Sequence, residues 1–128
     1  MELPIAIKKH IEENSAKLKK YSEKLAKLYE NCYASTVKTA LVPKEDGTIF
    51  VLTGDIPAMW LRDSSAQVNH YVEIAEDKEV AEIIKGVIRR QFKYILIDPY
   101  ANAFNEAPNG KGMTTDRPKN GPWVWEHK

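Results

Sequence analysis

Apolar residues that repeat at helical spacing in the second half of the chain constrain its fold more than any other feature. They recur at the i, i+3 and i+4 intervals that bring side chains to one side of an α-helix. The stripe consists of Val80, Ile83, Ile84, Val87, Ile88, Gln91, Phe92 and Ile95. Asp77 precedes it and is a good N-cap residue. Because the stripe is wide and strongly apolar, we expect a helix that is buried between neighbouring elements.

The N-terminal residues carry a second helical pattern. From about Leu3 to Tyr33, apolar residues recur at spacings of three, four and seven, which predicts one amphipathic helix. Its stripe consists of Ile11, Leu18, Tyr21, Leu25, Leu28 and Cys32. A coiled-coil dimer is one interpretation, but the stripe is short and Asn14 interrupts it. We therefore favour a helix that packs on its own domain, with Cys32 as a small core residue.

Two short runs rich in Thr, Val and Ile, "STVKTALVP" and "TIFVLTG", follow that helix. Asp46 and Gly47 between them form a turn signal, so the runs predict a β-hairpin. Farther along, Ser64 and Gln67 match the S-x-x-Q capping box, and Asp63 adds negative charge at the positive end of a helix. A further helix is therefore predicted to begin there. Its apolar face consists of Val68, Tyr71, Val72 and Ala75.

The residues from Asp98 onward lack periodicity and are rich in Asn, Pro and Gly. They predict a structureless loop of roughly 30 residues, and such a loop is usually functional or incompletely supported. Taken together, the patterns predict an all-α chain with a small β-hairpin and about three helices. All 128 residues are expected to belong to a single domain, with no separate domains.

The charge and the cysteine content exclude several functions. The chain has 19 basic and 18 acidic residues, which leaves no basic excess for binding nucleic acid. Its single cysteine cannot form an intrachain disulfide or a cysteine-based zinc site. His10, His70 and His127 lack metal-ligand spacing, so we expect structural roles for them and no metal site. No run is apolar enough for a signal peptide or a membrane span, which favours a cytoplasmic protein with no membrane partner.

The loop before Asp63 and the loop after Asp98 combine aromatic with polar side chains. A pyranose has an apolar C–H face that stacks on an indole, and hydroxyls that suit carboxylates, amides and arginine. Taken singly, Trp60 is typical of a core residue and Asp55 of a turn. Arg62 beside Asp63 is typical of an exposed ion pair. Their combination in two loops favours a sugar-binding site.

Three ordered segments, "TGDIPAMWLRDSSAQV", "DPYANAFNEAPNGKG" and "PWVWEHK", resemble glycoside hydrolase family 125. The resemblance covers nearly the whole chain from about Leu3. It implies a metal-independent, inverting exo-α-1,6-mannosidase without a cofactor. It also implies an (α/α)6 barrel, and a substrate that is an α-1,6-linked mannoside or an N-glycan-derived oligosaccharide. The W-x-R-D core is similar to the glucoamylase-like hydrolases as well, which keeps an α-glucoside as an alternative substrate.

An (α/α)6 barrel requires several hundred residues, so the resemblance implies that these 128 residues are the N-terminal third of one, an incomplete barrel. An inverting glycosidase needs a general acid and a general base. In the family, both are expected beyond Lys128, so the chain alone is expected to be inactive. Neither role is assigned to the carboxylates of the two loops. These are Asp55, Asp63, Asp98, Glu106, Asp116 and Glu126.

The resemblance instead implies substrate-binding roles for the two loops. Arg62 and Asp63 would hold hydroxyls of the terminal mannose, and Trp60 would supply an apolar wall. Asp55 would fix the loop or accept from a hydroxyl. The full predicted set is Asp55, Met59, Trp60, Arg62, Asp63, Asn105, Asn109, Trp123 and Glu126.

A stand-alone sugar-binding or interaction module is the alternative from a different class, with the stripe from Ile11 to Cys32 as its partner face. An incomplete barrel leaves apolar helix faces uncovered, including Val80–Ile95. Large exposed apolar patches favour association. We therefore expect the chain to self-associate through these faces.

Overall fold

The computed structural model of the protein describes residues 1–112 and 121–126. Its helices are α1 (Ile5–Lys19), α2 (Glu23–Ser35), α3 (Leu61–Asn69) and α4 (Lys78–Ile97). Its strands are β1 (Leu41–Pro43), β2 (Ile49–Val51), β3 (Met59–Trp60), β4 (Ala103–Phe104) and β5 (Val124–Glu126). Short 3-10 turns occupy Val72–Ile74 and Gly121–Trp123. The predictions for Asp116 and His127 fall outside the described residues.

The predicted single N-terminal helix is wrong, because the chain turns back between α1 and α2. Ser22 caps α2 by accepting a hydrogen bond from the amide three residues later. Ser15 of α1 donates to Glu30 of α2 at 2.6 Å. Nearer the chain start, the His10 ring stacks on Tyr33, with ring centroids 4.8 Å apart. Since earlier residues of α1 meet later residues of α2, the two helices run antiparallel.

The turn also changes which residues of this segment are buried. The core contains Ile7 of α1 and three residues of α2, namely Ala26, Tyr33 and Ala34. The exposed members of the predicted stripe are Tyr21, Leu25, Leu28 and Cys32. The prediction that Cys32 is a core residue is therefore wrong. A helix break shifts the phase of a periodic pattern, so residues on either side of it no longer share one face.

The β-hairpin is confirmed, although it is shorter than the sequence pattern. β1 and β2 pair antiparallel, with Val42 opposite Phe50. Gly47 lies in the turn with a φ of 73°, which glycine adopts without steric cost. The segment Thr36–Ala40, predicted as strand, instead continues α2 as a π-helical turn. All residues of β2 are buried, so the hairpin lies against the core.

The helix α4 begins where the sequence predicts. Asp77 caps it by accepting hydrogen bonds from the amides of Glu79 and Val80. At Gly86 the helix passes so close to β2 that an added Cβ would lie 2.8 Å from a side-chain carbon of Ile49. Glycine at this position therefore allows α4 and the hairpin to pack together.

Only one side of α4 is buried. Val80, Ile83 and Val87 lie in the core. On the other side, Phe92 is 61% exposed and Leu96 is 87% exposed. The prediction of a helix buried between neighbours is therefore wrong for the described structure, whose elements cover one side only. Self-association through the exposed side stays a prediction.

The region after Asp98 is not a structureless loop, and that prediction is wrong for the described residues. β4 pairs antiparallel with β3, which places Met59 opposite Phe104. β5 pairs antiparallel with β4 and completes a three-stranded sheet. Phe104 stacks on Tyr94 of α4, with ring centroids 4.4 Å apart. Strands of two or three residues are too short to show alternation, which explains why the sequence pattern misses them.

The structure is mostly helical with two small antiparallel sheets packed on a shared hydrophobic core. This confirms the expected class of helices with a hairpin and adds a second sheet. Among the residues described, no helix combines the length and the apolar character needed to cross a bilayer.

Candidate functional site

A closed turn leads from β2 into β3. The Thr53 hydroxyl donates to the Ala58 carbonyl at 2.8 Å and accepts from the Trp60 amide at 3.3 Å. Gly54 has a φ of 73°, a conformation in which other side chains are strained. Asp55 follows it and is exposed. The turn therefore fixes the backbone that carries the aromatic and charged side chains of this segment.

The helix α3 begins at Leu61, three residues before the predicted capping box. The Leu61 amide donates to the Asn102 carbonyl at 3.1 Å, so a neighbouring backbone group satisfies it instead of a capping side chain. Ser64 lies inside the first turn and donates to the Leu61 carbonyl at 2.9 Å. The capping box of Ser64 and Gln67 is therefore wrong. Asp63 does lie in the first turn, as predicted.

A cleft of about 560 Å³ lies where the turn, β3 and α3 meet. This volume is typical of ligand pockets, which span ~300–1,000 Å³. The lining residues are Thr53, Gly54, Ile56, Trp60, Arg62, Asp63, Ala66 and Gln67. A smaller cleft of about 290 Å³ is lined by Trp60, Leu61, Arg62, Asp63, Ala101 and Asn102. Trp60, Arg62 and Asp63 therefore line both.

Asp63 and Gln67 are four residues apart on α3, so they lie on one side of the helix, and Trp60 directly before the helix lines the same cleft. Trp60 and Gln67 are half-buried. The Trp60 Nε1 and Gln67 Oε1 atoms are fully buried, and neither has a hydrogen-bond partner within the described structure. Because both atoms have almost no accessible surface, they lie behind the surface of the cleft within the described structure.

Arg62 and Asp63 form an exposed ion pair at the cleft. The Arg62 Nη2 atom lies 3.2 Å from Asp63 Oδ2 and 3.4 Å from Oδ1. The Arg62 side chain is 87% exposed. Exposed pairs contribute only ~0–1 kcal/mol to stability, so this pair adds little to folding. Both side chains have exposed surface, so both are accessible to a ligand.

Comparison with known proteins establishes the family. Residues 22–128 match the family described as metal-independent alpha-mannosidase, GH125. The chain belongs to this family. The resemblance seen in the three sequence segments is thereby confirmed.

Two relatives show how far the similarity of this GH125 chain extends. The meiotically up-regulated gene 157 protein of Schizosaccharomyces pombe is 39% identical over 87 residues, which are 64% of this chain and 17% of that protein. A solved Streptococcus pneumoniae structure, from work on metal-independent alpha mannosidases, is a non-productive substrate complex with alpha-1,6-mannobiose. It is 38% identical with a TM-score of 0.88, and the match covers 100% of this chain and 30% of that one. The chain therefore spans less than a third of either relative.

The GH125 fold brings some of the predicted binding residues together at the cleft. Trp60, Arg62 and Asp63 line it. Asp55 is exposed on the turn between two lining residues. Met59 is fully buried, and its sulphur accepts from a β2 amide at 3.4 Å. Met59 therefore packs in the core, while the binding roles of the other four stay predictions.

The predicted residues of the second loop do not line this cleft. Asn105 is buried, and its Nδ2 atom donates to the carbonyls of Lys111 at 2.7 Å and Pro122 at 2.9 Å. Asn109 is exposed and accepts from the Lys111 amide at 2.9 Å, which is typical of an Asx turn. Glu126 is half-buried in β5. These contacts organise the sheet region beside the cleft.

Trp123 belongs to a cluster around the buried Arg90 that we call the Arg90 clasp. The clasp consists of Thr48, Phe50, Arg90, Tyr94, Glu106 and Trp123. Arg90 is 2% exposed and donates from Nε to the Tyr94 hydroxyl at 2.8 Å. Its other nitrogens donate to the Thr48 hydroxyl and the Glu106 carbonyl. The Trp123 ring centre lies 5.8 Å from the guanidinium carbon. The clasp therefore joins the hairpin, α4 and the sheet region.

The ionisable groups in and around the clasp have partners within the fold. Burial raises the pKa of Tyr94 to about 12, and its hydroxyl donates to the Asn105 carbonyl at 2.7 Å. Hydrogen bonds from Lys93 and Thr48 hold the pKa of Asp46 well below its usual range. The Lys93 ammonium lies 2.8 Å from Asp46 Oδ2. These groups therefore contribute to stability, and Asp46 and Lys93 also line a second cleft of about 500 Å³ beside the clasp.

In residues 1–112 and 121–126, no group of three or more His, Cys, Asp or Glu side chains is placed to hold a metal ion. His10 stacks on Tyr33, and the His70 ring lies 3.9 Å from the ring of Tyr71. Burial lowers the pKa of His70. The structural roles predicted for these two histidines are confirmed by the contacts.

Thr53 and Gln67 line the cleft, although neither was predicted as a site residue from the sequence. Gln67 lies four positions after Asp63 on α3, so helical spacing places these two residues on the same side. Gln67 also matches a capping box with Ser64, and that interpretation draws attention away from the helical spacing. Thr53 has no comparable signal, because its position depends on closure of the turn by Ala58.

Proposed function

We propose that this GH125 chain is the N-terminal part of an exo-acting α-1,6-mannosidase that hydrolyses its substrate with inversion. The cleft with Trp60, Arg62 and Asp63 forms one wall of the subsite for the terminal mannose. One observation carries the proposal. The first of the three segments that resemble the family, residues 53–68, supplies every residue that lines the larger cleft.

The chemistry of this wall suits a pyranose. Trp60 supplies apolar surface for the C–H face of the sugar. The Arg62 guanidinium only donates hydrogen bonds, and the Asp63 carboxylate only accepts them. A sugar hydroxyl does both, so it can bind to either group. The α-1,6-mannobiose in the Streptococcus pneumoniae relative supports mannose, rather than glucose, as this sugar.

Catalysis requires groups that we place outside these residues. An inverting glycosidase holds its general acid and general base ~6.5–9.5 Å apart, with room for a water molecule. Asp63 is ion-paired with its neighbour, and Asp55 is exposed on the turn. We assign neither role to them. The acid and base, together with the rest of an (α/α)6 barrel, belong in this proposal to the part of the enzyme that the matched 30% does not include.

A chimera tests the proposal. This chain replaces the segment of the Streptococcus pneumoniae protein that it matches over its full length. We expect the chimera to release mannose from α-1,6-mannobiose, with the β-anomer as the first product by NMR. We expect the 128-residue chain alone to release none. In the chimera, Arg62→Ala should lower kcat/KM at least roughly tenfold, because hydrogen bonds to charged groups contribute ~1.5–3 kcal/mol.

The matched control is Arg89→Ala, which removes another exposed arginine from an ion pair, with Glu82. Its kcat/KM should equal that of the unmodified chimera. Mannose release by the chain alone contradicts the placement of acid and base. Full activity of the Arg62→Ala chimera contradicts the subsite. Faster hydrolysis of an α-glucoside than of the mannobiose supports the glucoamylase-like alternative instead.

A further inference from the structure

The smaller cleft, of about 290 Å³, lies directly beside the larger one. Trp60, Arg62 and Asp63 line both clefts, so these three side chains form a ridge between them. The far side of the smaller cleft consists of Ala101 and Asn102, which directly precede β4. Its volume is close to the lower end of the ~300–1,000 Å³ range of ligand pockets, which suits one sugar ring. The ridge therefore separates two sites of different size.

A hydrogen bond joins the two sides of the smaller cleft. The Asn102 carbonyl accepts from the Leu61 amide at 3.1 Å, at the start of α3. The Asn102 amide donates to the Glu126 carbonyl of β5 at 2.9 Å. Both backbone groups of Asn102 are thus used by the fold, and they fix its position relative to the ridge.

The Asn102 side chain, in contrast, is exposed and makes no hydrogen bond within residues 1–112 and 121–126. The side chains of Asn105 and Asn109 are occupied by carbonyls and an amide of the fold. A carboxamide offers two donors and an acceptor, so it can bind two neighbouring hydroxyls of one sugar. Asn102 therefore places an accessible donor and acceptor at a fixed point of the smaller cleft.

We propose that the smaller cleft holds the leaving sugar and that Asn102 binds hydroxyls of this sugar. The inference rests on the proposed function, which places the terminal mannose in the larger cleft. A disaccharide occupies two adjacent sites, and its glycosidic oxygen lies between them. That oxygen then lies at the ridge, where Arg62 and Asp63 are accessible from both clefts. Asn102 is a specificity-determining residue for the leaving sugar and does not contact the terminal mannose.

The experiment uses the chimera with the Streptococcus pneumoniae protein and two substrates that share the terminal mannose. α-1,6-Mannobiose has a leaving sugar. α-Mannosyl fluoride has none, because water attacks its anomeric carbon and fluoride leaves. The test variant is Asn102→Ala, and the matched control is Asn69→Ala, at an exposed position of α3 that lines neither cleft. NMR measures the initial rate of mannose formation, and hence kcat/KM, on each substrate.

We expect Asn102→Ala to lower kcat/KM on the mannobiose roughly three- to tenfold, because hydrogen bonds to the leaving sugar are lost. Its kcat/KM on the fluoride should equal that of the unmodified chimera, which also shows that the variant is folded. Asn69→Ala should equal the unmodified chimera on both substrates.

Three outcomes overturn the inference, and they can be told apart from failure of the proposed function. Unchanged hydrolysis of the mannobiose by Asn102→Ala contradicts the role of Asn102. An equal fractional loss on both substrates contradicts it as well, because the effect is then not specific to the leaving sugar. In both cases the unmodified chimera is active and the proposed function stands. If the unmodified chimera hydrolyses neither substrate, the proposed function is wrong and this inference fails with it.

Discussion

The Arg90 clasp and the cleft wall contain the same residue types in opposite states of pairing. Arg90 is 2% exposed, and all three of its guanidinium nitrogens donate to groups of the fold. Arg62 is 87% exposed and, within residues 1–112 and 121–126, pairs with the adjacent Asp63 alone. A buried arginine must be paired to be tolerated, whereas an exposed one costs little to leave accessible. The clasp therefore supports the fold, and the cleft wall keeps its polar groups available for a ligand.

The two regions meet at the three-stranded sheet. β4 pairs with β3, which carries Trp60 of the cleft. Directly after β4, the carbonyls of Asn105 and Glu106 accept hydrogen bonds from Tyr94 and Arg90. The clasp thus positions the strand on which the cleft depends. Variants in the clasp should change stability, and variants in the cleft should change binding.

The largest expected effect on stability is that of Arg90→Met. The substitution leaves the Glu106 carbonyl and the Thr48 and Tyr94 hydroxyls without their donor. We expect the free energy of unfolding to fall by about 3–5 kcal/mol, because three acceptors lose their donor and each unpaired buried polar group costs ~1–3 kcal/mol. Urea denaturation followed by circular dichroism measures it, with Arg62→Met as the matched control. Equal losses of unfolding free energy in the two variants would contradict the proposed difference between the clasp and the cleft wall.

The next effect is that of Tyr94→Phe, which removes one donor and one acceptor from the clasp. We expect a loss of about 1–3 kcal/mol. Burial raises the pKa of the Tyr94 hydroxyl to about 12, above its ordinary ~10. The stability difference between wild type and variant should therefore be complete below pH ~10 and shrink between pH 10 and 12. Urea titrations at several alkaline pH values measure it; a difference that grows with pH would show that the hydroxyl is not held neutral.

A smaller effect is expected at the edge of the clasp for Asp46→Asn. Lys93 and Thr48 lower the pKa of the Asp46 carboxyl in the folded state. The advantage of wild type over variant should be complete above pH ~4 and shrink steadily as the pH falls from there toward the lowered pKa of the folded state. The Asp46 side chain is 42% exposed, so the effect should stay under about 1 kcal/mol. Thermal melts between pH 2 and 7 measure it; an advantage of the same size at pH 2 as at pH 7 would show that packing, and not the charge, provides it.

The smallest effect on stability is expected in the cleft, from Arg62→Ala and Asp63→Asn. Both residues pair only at the surface, so unfolding should change by less than about 0.5 kcal/mol. Affinity for α-1,6-mannobiose should nevertheless fall roughly tenfold in each variant. Melts and sugar titrations on the same samples compare the two quantities. A loss of stability that matches the loss of binding would place these residues in the fold rather than in the site.

The local elements of the fold could be predicted from the sequence. The Asp77 cap of α4 and the turn at Asp46 and Gly47 depend on neighbouring residues alone. The break at Ser22 could also have been found, because serine is a strong N-cap residue. The sheet of β3, β4 and β5 could not, since its strands are only two or three residues long and lie more than 40 positions apart between β3 and β4.

The candidate site, like the fold, combines contacts that are local in sequence with contacts between residues far apart in sequence. Trp60, Arg62 and Asp63 are close in sequence, and the turn and helix that carry them bring them together at the cleft. The predicted residues of the second loop lie in the sheet region because of contacts over long separations. Trp123, for example, reaches Arg90 through a clasp that also includes Thr48, 42 positions before that arginine. Such contacts depend on the packed structure and leave no local pattern.

The indole N–H signals of Trp60 and Trp123 test the central claim most directly, since one residue lies in the cleft and the other in the clasp. We would titrate the wild-type chain with α-1,6-mannobiose and follow both signals by NMR. We expect the Trp60 signal to shift with saturable binding while the Trp123 signal stays in place. A saturable shift of Trp123 with Trp60 unchanged would contradict it, and would place the sugar at the clasp instead.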